Sequence, residues 1–340
     1  ETDLTLDNMT VTGGDETVYT MSNNCGNVVI KDTTINAKNG DVAFDVCRYA
    51  SYPSVNVTVK GNSTINGTVE VSGVIGEGQS RQLNIEGGSF AGDFRIVDDV
   101  PANISITGGT FNTDVSAYVA DGYTYNSETK TVEPLGETNA VAKVGDTYYK
   151  TLADAVTAAE NGETVTLLKN AEMTETIRIT DGKKITLALD GHDVVIKTTG
   201  KFFLVRNGEL TVTGTGMIKE ETPYFAPIII KGGAEKSENY SVVNVEEGVI
   251  LEGWAGVMID QTSNTTNNYG MVLNVNGATL KGVKDTDNAE GLGVYVNGVV
   301  ADAKVTLNNA TLTADGYGMY LAGNADTTIT GGTVSGTTTG

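Results

Sequence analysis

A short pattern that returns along the whole chain constrains the fold more than any other feature of the sequence. An apolar residue, any residue, a second apolar residue and a turn residue recur at steps of 21 to 33 residues, with one lapse. Self-similarity at such a period is typical of a solenoid, in which successive coils stack on one another. A β-propeller would need a period nearer to about 40–45 residues, so the pattern favours the solenoid.

The second apolar position of the pattern is Leu, Ile or Val at all twelve sites: Leu6, Ile30, Val59, Ile85, Ile106, Leu167, Leu189, Val212, Val245, Val275, Leu307 and Ile329. Another apolar residue stands two positions earlier at every site except Thr327, and such alternation indicates a strand with one inward face. Two positions later the residue is Gly, Asn or Asp at ten sites, which predicts a turn with left-handed backbone in each coil. A second apolar run, such as 42–46 or 257–259, predicts two or three short strands per coil.

The repeat lapses between Phe111 and Val165, and other signals fill the gap. Thr151 and Asp154 resemble a capping box, and Gly162 can end a helix, so a short amphipathic helix is predicted over 152–159. Such a helix would cover the open strand edge at the start of a solenoid. We therefore predict two modules: residues 1–136 as the C-terminal part of a first β-helix with its end cap, and 137–340 as a second, with a hairpin and capping helix at 141–162 and coils at 163–340.

Several of these segments resemble a module of large, adhesin-like surface proteins of Gram-positive gut bacteria. The resemblance is carried by residues 141–146, 152–159, 165–169 and 187–192, and by the segment from Gly108 to Tyr123. It implies an all-β, right-handed parallel β-helix of the pectin-lyase-like type. It also implies secretion and display at the cell surface or in the cell wall, and it transfers no catalytic residues to this chain.

The charge balance limits the classes of partner that the chain can bind. Lys and Arg number 22 against 43 Asp and Glu, a formal net charge of -21, which disfavours binding to nucleic acid or to an acidic polysaccharide without a bridging cation. No apolar run is long enough to cross a bilayer, so we expect no membrane insertion. The strand pattern begins by Leu4, which suggests a segment of something longer, and we expect a monomer.

The sequence contains only weak matches to known catalytic motifs. His192, the only histidine, lies in a Gly-His-Asp sequence like that of polygalacturonases, but the paired aspartates and the Arg-x-Lys that those enzymes need are missing. His192 instead aligns with a turn position that holds different residue types in other coils, so we predict a surface turn. The five arginines match no pectate-lyase pattern. The sequence therefore favours a protein that is not an enzyme.

Insertions in the long coils supply the candidate binding residues, because loops on a rigid scaffold commonly carry binding sites. Tyr beside Asn and Asp is suited to stacking on sugars and bonding to their hydroxyls, although solvated loops without a function explain the same residues equally well. The candidates are Tyr224, Glu235, Tyr240, Asp260, Asn264, Asn268, Tyr269, Asp285, Asp287 and Glu290. Carboxylates among them, with Glu220 and Glu221, would serve glycoside hydrolysis or Ca²⁺ binding if they meet, and no other cofactor is expected. Trp254, the only tryptophan, is predicted at a coil corner.

Cys25 and Cys47 each follow the second strand of neighbouring coils. Coils about 4.8 Å apart lie within the Cα separation that a disulfide accepts, so a bridge and two free thiols are both open.

The leading hypothesis is thus a non-catalytic cell-surface module, adhesin-like or a stalk, that binds a polysaccharide or a host glycoprotein through its inserted loops. The alternative is a polysaccharide lyase or glycoside hydrolase.

Overall fold

The computed structural model describes residues 3–38, 41–97, 103–236, 238–261, 268–284 and 290–337. These residues form an all-β, parallel β-solenoid of about 13 turns. The chain divides into two compact units, unit 1 (Glu1–Leu135) and unit 2 (Gly136–Gly340).

Unit 1 consists of short strands with one 3₁₀ helix at Ser116–Tyr118. Its strands are β1 (Asp3–Asp7), β2 (Thr10–Thr12), β3 (Tyr19–Asn23), β4 (Gly26–Lys31), β5 (Thr34–Asn36), β6 (Val42–Cys47), β7 (Ser54–Lys60), β8 (Thr64–Asn66), β9 (Thr68–Ser72), β10 (Ser80–Ile85), β11 (Ser89–Phe90), β12 (Phe94–Ile96), β13 (Ile104–Ile106), β14 (Gly109–Phe111), β15 (Tyr123–Asn126) and β16 (Thr131–Pro134).

Three parallel sheets run along unit 1. Sheet A has the order β1-β4-β7-β10-β13, sheet C has the order β12-β9-β6-β3, and sheet B joins β2, β5, β8, β11 and β14. At the far end of sheet B, β14 pairs with β16 in antiparallel fashion, and β16 forms a hairpin with β15. The last coil of unit 1 therefore ends in a hairpin that pairs with its strand edge.

The predicted apolar row forms the core of unit 1. In sheet A, Leu6 pairs with Ile30, Ile30 with Val59, Val59 with Ile85, and Ile85 with Ile106. Four of these five side chains are fully buried, and Leu6, on the first strand, is partly exposed. The sequence prediction of the register is confirmed for all five coils.

Unit 2 begins with a hairpin and the helix α1 (Leu152–Ala158). Its strands are β17 (Ala142–Val144), β18 (Thr147–Tyr149), β19 (Thr164–Leu167), β20 (Ala171–Met173), β21 (Ile177–Ile179), β22 (Lys184–Ala188), β23 (Val194–Ile196), β24 (Phe203–Val205), β25 (Gly208–Thr213), β26 (Gly216–Glu220), β27 (Ile228–Lys231), β28 (Ser241–Val245), β29 (Val249–Gly253), β30 (Ala255–Asp260), β31 (Met271–Asn276), β32 (Thr279–Gly282), β33 (Leu292–Val296), β34 (Ala303–Asn308), β35 (Thr311–Ala314), β36 (Tyr317–Leu321), β37 (Ala325–Thr330) and β38 (Thr333–Gly336).

Unit 2 also has three sheets. Sheet D runs β18-β17-β19-β22-β25-β28-β31-β34-β37, sheet E runs β20-β23-β26-β29-β32-β35-β38, and sheet F runs β21-β24-β27-β30-β33-β36. All pairs are parallel except those of the first hairpin, β17 with β18 and β17 with β19. Helix α1 has the predicted cap, because the Thr151 hydroxyl accepts a hydrogen bond from the Asp154 N–H (3.1 Å), and its buried face adds Leu152, Ala155 and Val156 to the core.

The sequence alignment is wrong by two residues at one step of unit 2, between its second and third coils. Val212 pairs with Leu187 rather than with Leu189, whereas Leu187 pairs with Val165 as predicted. From Val212 onward the predicted row is correct, through Val245, Val275, Leu307 and Ile329. A shift of two residues leaves every side chain on its predicted face, so Leu167 and Leu189 are still buried.

Left-handed backbone occurs at most of the predicted turn positions. Positive φ angles are found at Asn8, Asp32, Gly61, Gly191, Gly214, Gly277, Asn309 and Gly331. In the two coils with Gly87 and Gly108, the left-handed residue comes one position later, at Gly88 and Gly109. No helix among the described residues is long and apolar enough to cross a membrane.

Candidate functional site

The loops that join sheet F to sheet D contain several predicted binding residues, and most of these hold the loops in place. Asn268 is fully buried, and its side-chain amide donates to the Val299 carbonyl (3.2 Å). Tyr269 exchanges two backbone hydrogen bonds with Gly233 (3.0 Å each). Asp260 accepts a hydrogen bond from the Asn297 amide (2.9 Å) and lies 3.4 Å from the Lys231 ammonium group. Contacts within the protein therefore hold these loops in place.

The remaining predicted residues are scattered. Glu235 is exposed, and the Tyr240 carbonyl accepts a hydrogen bond from the Gly208 N–H (3.2 Å). The Glu290 carboxylate contacts the Tyr317 hydroxyl, and this contact raises the pKa of Tyr317. Asn264, Asp285 and Asp287 lie outside the described residues. Tyr224 belongs to a different group of side chains, which forms the main candidate site.

A ladder of aromatic rings runs along the outer side of sheet F, with one ring on each of four successive coils. Tyr224 contacts Trp254 (ring centroids 5.8 Å apart), Trp254 contacts Tyr295 (5.5 Å), and Tyr295 stacks on Tyr320 (5.7 Å). The rings at both ends are the most open, since Tyr224 is 52 % and Tyr320 is 44 % exposed. We call Tyr224, Trp254, Tyr295 and Tyr320 the aromatic strip.

The register of sheet F explains why Tyr295 and Tyr320 meet, whereas Tyr224 and Trp254 lie in the bends that lead from sheet E into sheet F. In the parallel pairing, Ile229, Met258, Tyr295 and Tyr320 occupy one outward row. The first two are buried in a small apolar cluster that lies outside the main core, and Trp254 and Tyr295 pack against it. Burial, together with the nearby negative charge of Asp260, raises the pKa of the Tyr295 hydroxyl. The strip is thus fixed on a rigid apolar base.

Tyr224 has an unusual backbone for a bulky exposed residue. Its φ angle is 64°, in the left-handed region that most side chains avoid. Such a conformation costs on the order of 1–3 kcal/mol and is found most often at functional sites. The chain therefore holds this ring against Trp254 at the expense of local stability.

An open recess of about 350 Å³ adjoins the aromatic strip at Trp254. Its lining includes Glu220, Glu221, Thr222, Glu252, Trp254 and Lys284. The Glu252 carboxylate lies 3.6 Å from the Lys219 ammonium group and 2.6 Å from that of Lys281, so its charge is balanced locally. The recess combines an aromatic wall, formed by Trp254, with hydrogen-bonding groups that carry positive or negative charge.

Unit 1 carries a different polar group on the outer face of sheet C. Asp45 and Glu70 are paired in register on β6 and β9, each 5 % exposed, and Arg95 follows on β12. Asp45 accepts hydrogen bonds from the Asn23 N–H (2.7 Å) and the Ser22 hydroxyl (3.1 Å). Glu70 accepts from the Tyr19 hydroxyl (2.9 Å) and from Arg95 Nε (2.7 Å). Burial is the main cause that raises the pKa of Asp45.

These two carboxylates lie side by side on neighbouring coils, but each of their four oxygens accepts a hydrogen bond from a neighbouring residue. We therefore interpret the group as a structural network. Arg95→Met should destabilise unit 1 by about 2 kcal/mol, because it leaves the buried Glu70 carboxylate without its cation. Urea unfolding followed by circular dichroism measures this loss.

Lys31→Met is the control, because it removes an exposed ion pair with Asp7 (3.0 Å) and should change stability little. Adding Glu70→Gln to Arg95→Met should restore part of the loss, since position 70 then no longer carries a buried charge. Equal stability of the Arg95→Met and Lys31→Met variants would show that the network does not stabilise the fold.

Two further predictions concern His192 and the two cysteines. His192 lies in the turn after β22, where its N–H donates to the Leu189 carbonyl (2.9 Å). Cys25 and Cys47 are not bridged in the structure, and the pairing of Val46 with Asn23, continued by one residue, would bring Cys47 opposite Asn24 rather than Cys25. The disulfide itself stays a prediction.

Among the described residues, no group of three or more His, Cys, Asp or Glu side chains could hold a metal ion.

Sequence reasoning missed the strip as a unit. Trp254 was predicted at a coil corner, and nothing joined it to Tyr224, Tyr295 or Tyr320. The signal was present, because an aromatic residue at the same outward position of two successive strands, β33 and β36, is out of place on a solvated face. The Asp45–Glu70–Arg95 row in unit 1 was also missed, because its residues are far apart in the sequence and meet only when the coils stack in register.

No protein-family model, no curated relative and no solved structure matches this chain.

Proposed function

We propose that this chain is a non-catalytic carbohydrate-binding module, secreted and displayed at a cell surface or in a cell wall as an adhesin-like domain or stalk. We further propose that it consists of two consecutive right-handed β-helix modules of the pectin-lyase-like type. The observation that carries the binding function is the aromatic strip of unit 2, with its one ring per coil.

Aromatic side chains suit sugar binding because one part of each ring is apolar while the tyrosine hydroxyl and the tryptophan N–H form hydrogen bonds. The apolar faces of sugar rings pack on aromatic rings, and the sugar hydroxyls then bond to polar groups at the edge. Four rings on coils about 4.8 Å apart extend over about 14 Å, which is long enough for several sugar residues of a chain lying along the solenoid axis. The rigid base below them lowers the entropy lost on binding.

Charge favours a neutral glycan or a host glycoprotein as the partner. The net charge of -21 would repel polyuronates and nucleic acids. The alternative, a polysaccharide lyase or glycoside hydrolase, has its best carboxylate pair in Asp45 and Glu70, and that pair is already engaged with its neighbours. We therefore favour glycan binding over catalysis as the function of this chain.

Removing rings from the strip should weaken binding to neutral polysaccharides without unfolding the protein. Tyr224→Gly removes the exposed ring and also relieves the left-handed backbone, so affinity should fall about tenfold while the melting temperature stays the same or rises. Tyr320→Ala should lower affinity by a similar factor. Binding is measured on an array of plant and host polysaccharides and quantified by affinity electrophoresis.

The matched control is Tyr49→Ala in unit 1, which removes a ring that is 61 % exposed but lies outside the strip. It should leave binding unchanged. The same polysaccharides, incubated with the protein, should release no new reducing or unsaturated ends. Glycan binding that survives both strip substitutions would contradict the assignment, and cleavage products would favour the enzyme.

A further inference from the structure

The wall of the recess beside Trp254 contains two buried polar atoms. Glu220 Oε2 and Trp254 Nε1 are buried with no hydrogen-bond partner among the described residues. Leaving one such group unsatisfied costs about 1–3 kcal/mol, so two in the lining of one recess call for an explanation.

Glu220 occupies a position where a carboxyl group is unexpected. Its row in sheet E faces inward, with Ile196 on the preceding coil. The next coils place Gly253 and then Gly282 in this row, because Lys219 pairs with Glu252 and Gly253 pairs with Gly282. Both glycines lie where the chain packs too closely for a side chain, because a Cβ would contact Pro227 at position 253 and the Leu292 backbone at position 282. A local break in the pattern of an otherwise regular core is expected at functional sites.

The orientation of the Glu220 carboxyl group is fixed from one side. Oε1 accepts hydrogen bonds from the Thr222 N–H (2.8 Å) and from the Thr222 hydroxyl. Oε2 is therefore the atom left for a ligand. Trp254 contributes an N–H donor in the same recess, and Tyr224 contacts the Trp254 ring.

We propose that this recess is a subsite for one neutral sugar residue, which donates a hydroxyl hydrogen bond to Glu220 Oε2 and accepts another from Trp254 Nε1–H. The inference rests on the proposed glycan-binding function and names the part of the strip where the sugar is held. A sugar hydroxyl both donates and accepts, so neighbouring hydroxyls of one ring satisfy both orphaned atoms. A ligand carboxylate is disfavoured, because Glu221 and Glu252 also line the recess.

Binding of this kind is coupled to the protonation of Glu220. Burial raises the pKa of Glu220 to about 7, and Glu221 adds to the rise while Thr222 opposes it. The charged groups that line the recess around it are Lys219, Glu221, Glu252 and Lys284. Because Oε1 accepts both Thr222 bonds, the proton of the neutral carboxyl group lies on Oε2 and competes with the sugar hydroxyl for that oxygen. Affinity should therefore rise with pH and be about tenfold higher at pH 8 than at pH 6.

The experiment titrates the full chain with xylotetraose, mannotetraose and tetragalacturonate at pH 6, 7 and 8. Trp254 is the only tryptophan, so its fluorescence reports on the recess directly. We expect a neutral tetrasaccharide to bind with the tenfold pH dependence, and calorimetry in buffers of different ionisation enthalpy to show proton release near pH 7. Glu220→Gln should bind more weakly and without the pH dependence. Trp254→Phe, followed by calorimetry, should weaken binding while the pH dependence remains.

Glu221→Gln is the control, since it removes a neighbouring carboxylate but leaves Glu220 in place, and the pH dependence should persist. The subsite is overturned if Glu220→Gln keeps the pH dependence, or if tetragalacturonate is the ligand that depends on Glu220. The subsite is also overturned if no tetrasaccharide changes the Trp254 fluorescence while polysaccharide binding still depends on Tyr320. In that case the proposed glycan-binding function remains intact. Absence of all glycan binding overturns both.

Discussion

Val212→Asp should destabilise unit 2 by more than about 4 kcal/mol, the largest effect that we expect from a single substitution. Val212 is fully buried and pairs with Leu187 on one side and Val245 on the other. The substitution places a charge in an apolar row with no partner in reach, which is among the most costly changes a fold can undergo. Urea unfolding of the full chain, followed by circular dichroism and by Trp254 fluorescence, measures the loss.

Thr211→Asp is the matched control, because it adds the same charge one residue away on the outer face. Thr211 accepts a hydrogen bond from the Asn244 amide (3.1 Å), and an aspartate can accept the same bond. We expect a change within about 1 kcal/mol. If the two variants unfold at the same urea concentration, the inward and outward faces of sheet D are assigned wrongly.

The second large effect concerns pH. The folded pKa of Glu220, about 7, lies above the ordinary value of 4.5. Between these two values the folded state binds more protons than the unfolded state, so the free energy of unfolding falls as pH rises through this window. The difference in stability between the wild type and Glu220→Gln should therefore change by about 3 kcal/mol from pH 4 to pH 8, with the wild type losing.

Thermal and urea unfolding of both proteins across this pH range provide the measurement. Comparing the two proteins cancels the titration of all other groups, and Glu221→Gln shows whether any buffer effect mimics the result. Parallel pH profiles for the wild type and Glu220→Gln would mean that Glu220 titrates normally and that the recess is well solvated.

The solenoid and much of its core could be predicted from the sequence because the inward face repeats in every coil. The limit of that prediction is visible at Leu167 and Leu189. Alternation has a period of two, so a shift of two residues keeps the same face inward, and the pattern cannot distinguish the two registers. In the structure the shift falls between the second and third coils of unit 2, and Leu187 takes the place that was predicted for Leu189.

The candidate site was harder to predict. Tyr224, Trp254, Tyr295 and Tyr320 are separated by 25 to 41 residues and meet only because the coils stack in register. Loop residues such as Asn268 and Tyr269 had the right chemistry, but loops have no repeat, and the structure uses these two for internal contacts. Glu220 was recognised as one carboxylate among several, while its inward row and its glycine neighbours required the register of sheet E.

The direction of the hydrogen bonds within each unit has a mechanical consequence. Bonds between parallel strands of neighbouring coils point along the stacking direction, so every coil interface carries the same tension and the weakest interface yields first. If the chain acts as the proposed stalk, it would open one coil at a time, and each opened coil would lengthen the chain while the remaining coils stay folded. Force on a bound glycan would then be limited by the weakest coil interface rather than by the fold as a whole.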